Sequence, residues 1–157
     1  MEAVQDKVRS LLVPLRDRTL MVPNIAIAEL ISWQDLAPTD AAPDWLMGIL
    51  NWRGYELPVI SFEAVRGDAR PVTDDRTHIA VMNSIRGEQG VPFYALVTAG
   101  IPHLARLGEG ELRHTGALDG VAASGELARV QYGEQRAIIP DLEALEVLAA
   151  GYVRQVA

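Results

Sequence analysis

Cysteine is absent from this chain of 157 residues, which rules out disulfides, a thiolate nucleophile and cysteine-ligated metal and leaves the redox compartment open. Lysine is almost absent too: apart from Lys7 every positive side chain is an arginine, a planar donor suited to protein interfaces, although a G- and C-rich genome gives the same bias. His78, His103 and His114 are the only histidines, and none has a partner at metal-ligand spacing. No Gly-x-Ser-x-Gly elbow, Walker loop or Gly-x-Gly-x-x-Gly occurs; Gly108-Glu109-Gly110 is a lone glycine pair. Asp74-Asp75 and Glu109 to Glu111 are adjacent charges of the kind that cover solvated loops. Neither an enzyme nor a cofactor nor a metal is expected. No run reaches the ~20 uninterrupted apolar residues of a membrane helix, because Asp, Arg, Glu or Pro breaks each one first, so no direct membrane insertion is expected. A net charge of -7 with scattered basic residues argues against nucleic acid as a partner. Met1 to Ser10 lacks the apolar core of a signal peptide, which reads as a cytoplasmic protein.

What is present is a series of short apolar runs between turn signals. They are Leu11 to Leu15, Thr19 to Val22, Met47 to Leu50, Leu57 to Ile60, Ile79 to Met82, Phe93 to Val97, Leu127 to Gln131 and Arg136 to Ile139. Runs of this length predict many short strands in closed or nearly closed sheets, a mainly β chain. Asp141 to Ala150 reads as a helix with Leu142, Leu145 and Leu148 inward and Asp141 as cap, and one helical turn is expected near Ile25 to Glu29. Gly67 to Asp75 reads as a mobile connector, and Gly108 to Gly125 as a second, glycine-rich loop. The length suits residues 1–157 as one domain, or two small lobes sharing a core.

The most informative stretch is Gly48 to Phe62. Two apolar runs flank Arg53-Gly54, which predicts a β-hairpin with a charged tip. Gly54 serves the turn, Asn51 is expected to hydrogen-bond backbone near it, and Pro58 within a strand implies an edge or a bulge. Gly48, Asn51, Arg53, Gly54, Pro58 and Val59 fall in register with the central motif of the CheW family of bacterial chemosensory adaptors, which this segment resembles. Val22-Pro23 with Ile27 to Ile31, Pro38 to Trp45, Phe93 to Ile101, and Ile138 to Leu142 resemble further family segments in the same order. Trp52, Ser61, Ala95 and Ala99 depart from it, standing where Leu, Asp, Gly and a second Asp are usual.

The resemblance implies two small five-stranded SH3-like β-barrels packed together with a groove between them, and a C-terminal helix. It implies a non-catalytic scaffold, peripheral to membrane-bound receptor arrays. Its partners would be the cytoplasmic tip of a chemoreceptor (a methyl-accepting chemotaxis protein) and the regulatory domain of a CheA-type histidine kinase. An auxiliary adaptor of a pilus-driven twitching system is one form this could take. The positions matching receptor-facing residues are Ile27, Leu30, Gly48, Ala95, Ile101 and Leu104, each of which could equally be ordinary core. Glu29 and Arg53 are implied to lie close, with Arg53 offering donors to a partner. Trp33, Trp45 and Trp52 read as packing residues, with Trp52 an anchor for an altered partner if exposed. Three other readings stay open: a competitor that occupies receptor or kinase sites without coupling them, a module with a single partner outside any array, and, remotely, a small enzyme.

Overall fold

The computed structural model describes residues 8–85, 92–107, 112–115 and 125–156. The chain opens with β1 (Val8–Pro14) and β2 (Thr19–Pro23), takes one 3-10 turn (Asn24–Ala26), and continues through β3 (Ile27–Ser32), β4 (Leu46–Trp52) and β5 (Tyr55–Ile60). After the short α1 (Phe62–Val65) come β6 (His78–Asn83), β7 (Phe93–Thr98), β8 (His103–Leu107), β9 (Leu112–His114), β10 (Glu126–Tyr132) and β11 (Gln135–Pro140). The chain closes with α2 (Leu142–Ala149) and β12 (Arg154–Gln155).

These strands form two sheets of six, which keep the five-stranded plan implied by the family resemblance and extend it by one strand each. Each has five longer strands and one short addition, β9 of three residues or β12 of two. One sheet runs β8-β1-β2-β11-β10-β9; the other runs β3-β6-β7-β5, with β4 and β12 both on β5. The β3–β6, β6–β7 and β4–β5 ladders are antiparallel while β5–β7 is parallel. The same pattern recurs as β8–β1, β1–β2 and β10–β11 antiparallel with β11–β2 parallel. The two lobes thus share one topology, two SH3-like β domains. In the first, β1 and β2 come from the start of the chain and β8 to β11 from its far end, so the lobe containing β3 to β7 is inserted into the other.

Residue alternation explains how short strands fill so compact a molecule. Along β6 and β7, Ala80, Met82, Tyr94 and Leu96 enter one core while Ile79, Val81, Ala95 and Val97 enter another. Both faces of these strands are buried, which is why they read as unbroken apolar runs. The first core is shared: Val13, Leu20, Val22, Ile138, Leu142 and Leu145 of the terminal lobe meet Ile60, Phe62, Met82 and Tyr94 of the inserted lobe. The lobes are therefore packed directly on one another through this core, and away from it a polar cleft of about 350 Å³ opens between Arg16 to Arg18 of the terminal lobe and Glu63 and Asp68 to Val72 of the inserted lobe.

All eight apolar runs are strands, and α2 carries Asp141 as its cap, accepting from Ala144 N at 3.1 Å. The turn expected at Ile25 to Glu29 is displaced: the 3-10 turn ends at Ala26, and Ile27–Ser32 is extended because β6 pairs with it. Pro58 lies neither in an outer strand nor at the bulge, which falls between Leu46 and Gly48. It occupies the interval where the second edge of β5 changes partner, from β12 at Glu56 to β7 at Val59, so its missing N–H breaks no pairing on that edge. The Gly67 to Asp75 connector is strapped down, with the Arg70 guanidinium donating to the carbonyls of Pro43, Asp44 and Leu46, and Arg16 to that of Val72. Most of the Gly108 to Gly125 loop lies outside the described residues.

Candidate functional site

The β4–β5 hairpin turns at Arg53 (φ +46°) and Gly54 (φ +84°), both in the left-handed region that a two-residue type I′ turn requires. Glycine adopts this conformation freely, whereas for arginine it costs about 1 kcal/mol or more and persists where the surroundings impose it. The surroundings here are specific. Arg53 Nη2 donates to Glu29 Oε1 at 3.2 Å, and the Trp52 indole Nε1–H donates to the same oxygen at 2.9 Å. The Arg53 guanidinium carbon lies 5.2 Å from the centre of the Trp52 ring, within cation–π range. Phe93 meets Trp52 edge-on at 4.9 Å and Tyr55 at 5.3 Å, so the tip rests on an aromatic cluster. Behind the turn, Val156 N donates to Gly54 O at 2.7 Å.

Glu29 reaches this group from β3, the outer strand beyond β6. The Arg53 side chain is 69% exposed and that of Glu29 37%, so the ion pair alone contributes only ~0–1 kcal/mol. The indole bond and the ring face add to it. Asn51 is an exposed residue opposite Glu56 in the ladder rather than part of the turn.

The six positions matched to receptor contact separate into three groups. Ile27 and Leu30 are half-buried on the shared core beside Leu11, and Leu104 stands opposite Leu11 in the β1–β8 ladder. Leu104 and Ile101 are about half exposed; Leu104 joins Ile27 and Leu30 at the seam between lobes through Leu11, and Ile101 lies on the connection that leads into β8. Ala95 is fully buried inside the inserted lobe and offers no surface. Gly48 is also buried: at φ +151°, a Cβ there would lie 2.6 Å from Leu36 Cβ, so the missing side chain lets Leu36 cross the strand. Nearby, Ile25 is 81% exposed on the 3-10 turn, an apolar residue that the sequence reading placed in a helical turn without marking it as surface, because its apolar neighbours Ala26 and Ile27 give no period that sets it apart.

Ser61, one of the departures, is buried and caps α1, accepting from Ala64 N at 3.2 Å. Serine caps as well as aspartate, so the exchange keeps the local structure. Ala99 donates its backbone N–H to Pro14 O at 2.9 Å. Trp33 packs half-buried on the inserted-lobe core, and Trp45 meets Tyr152 edge-on at 5.7 Å. Among the described residues no cluster of His, Asp and Glu could hold a metal ion, and no helix is long and apolar enough to cross a membrane.

A solved structure shares this arrangement. The crystal structure of the scaffolding protein TtCheW from Thermoanaerobacter tengcongensis is similar at a TM-score of 0.71 and 15% sequence identity, over 87% of this chain and 90% of that one. That likeness shows the fold. No curated protein matches the sequence significantly. The CheW-like domain matches from residue 9 to residue 148, through both lobes and into α2, and the chain accordingly belongs to the CheW-like domain family.

Proposed function

We propose that this chain is a non-catalytic adaptor that couples the signalling tips of chemoreceptors to a CheA-type histidine kinase, at the cytoplasmic face of a receptor array. The observation that carries this reading is the hairpin tip: an exposed guanidinium in a conformation unfavourable for arginine, held by Glu29 and Trp52. The apolar margin at Ile27, Leu30, Ile101 and Leu104 suits the side of an amphipathic helix, and family membership over both lobes supports the same role.

Co-sedimentation with receptor tips and kinase tests it. Arg53→Ala should weaken capture while shifting folding stability by no more than about 1 kcal/mol; equal capture of a folded variant and wild type refutes the role of Arg53. Adding the protein to reconstituted receptor and kinase tests the coupling. A rise in kinase activity supports it, a fall makes the chain a competitor, and no binding makes it a module for something else.

A further inference from the structure

Trp52 stands where leucine is usual, and its surroundings say what the exchange does. Its indole N–H and the Arg53 guanidinium converge on one oxygen, Glu29 Oε1, and its ring lies under that guanidinium. Its edge contact with Phe93 holds the ring against the inserted lobe, and the residue is half-buried rather than extended into solvent. On the neighbouring strands Glu56 and Arg154 pair with each other at 3.6 Å across the β5–β12 ladder. A leucine at 52 would keep the apolar contact with Phe93 but supply neither a donor for Glu29 nor a face for Arg53.

An exposed arginine with several free torsions pays an entropy cost whenever a partner immobilises it, and holding it in place beforehand removes much of that cost. An exposed ion pair rarely achieves this alone. We infer that Trp52 is a positioning residue: it locks Glu29 and Arg53 into one unit, so that Arg53 meets a carboxylate on the partner already oriented, and it does not itself enter the partner as an anchor. The inference rests on the adaptor reading for the identity of the partner, but not for the state of Arg53 in the free protein.

Two measurements on the full chain test the two parts separately. In the free protein, the order parameter of the Arg53 Nε–Hε group by NMR should be high in wild type, low in Trp52→Leu and intermediate in Trp52→Phe, which keeps the ring and loses the donor. An Arg53 equally ordered in Trp52→Leu overturns the inference. In calorimetric titration with a purified chemoreceptor signalling-tip fragment, Trp52→Leu should weaken binding about tenfold and Trp52→Phe less. Both losses should vanish when Arg53 is already alanine. Losses that add independently would make Trp52 a direct anchor and overturn the positioning role. A wild-type protein that ignores the fragment overturns the adaptor reading, and the NMR comparison still decides the role of Trp52.

Discussion

At the scale of single residues, the sequence could identify the turn but not its strain. Arg53-Gly54 between apolar runs announces a hairpin, whereas the left-handed conformation of Arg53 emerges only from the turn type and the contacts around it. Arg53→Gly should therefore be more stable than Arg53→Ala by about 1 kcal/mol in denaturant titration, since both lose the guanidinium and only glycine is relaxed there. Gly48 presents the opposite case. With a Cβ only 2.6 Å from Leu36 Cβ, Gly48→Ala should destabilise by about 2 kcal/mol, which identifies packing as the reason for glycine at a position matched to receptor contact. Tyr94 is fully buried in the shared core and its hydroxyl has no hydrogen-bond partner among the described residues. Burial, and secondarily the Glu146 carboxylate, raise its phenol above the ordinary tyrosine value. The unfolded chain then loses this proton first, so stability should fall as pH climbs past about 10, and Tyr94→Phe should flatten that decline in unfolding curves taken between about pH 9 and about pH 11.

At the scale of elements, short apolar runs revealed strands whether one face or both is buried, and missed those whose residues do not favour extension. Ile27–Ser32 contains Ala28 and Glu29, and His103–Leu107 is short and polar at its start; pairing with β6 and β1 makes them strands. Helix α2 was legible because its cap and inward residues are both in the sequence. Asp141→Ala should lower stability by about 1 kcal/mol through loss of that cap, measured by thermal unfolding with helix content followed by circular dichroism. A chain of ion pairs between elements was not legible, because it joins three segments far apart in sequence, at Arg18, at Arg66 to Asp68 and at Glu126 to Arg129. Arg18 meets Asp68, Asp68 meets Arg66, and Arg66 and Arg129 both reach Glu126. The Glu126 side chain is 1% exposed and that of Arg66 12%, so Glu126→Ala leaves the mostly buried Arg66 guanidinium with Asp68 alone and should destabilise by about 2 kcal/mol.

At the scale of the whole molecule, the two similar lobes were implied by the family resemblance and not by any internal repeat, whereas the insertion of one lobe into the other was not legible, because the order of apolar runs does not say which strands pair. A shared core follows from this arrangement and makes the lobes interdependent. Leu20→Ala, at a fully buried position of that core, should lower a single calorimetric transition by the equivalent of about 3 kcal/mol without splitting it into two. The margin of the same core explains why Ile27 and Leu30 could not be separated from interior residues on sequence alone: each belongs partly to core and partly to surface. The return of Arg154–Gln155 to β5 and the bond from Val156 to Gly54 have a practical side as well. Any tag, fluorophore or fusion partner joined after Val156 would emerge next to Arg53 and crowd the surface under test, so labelling belongs on the opposite end of the polypeptide.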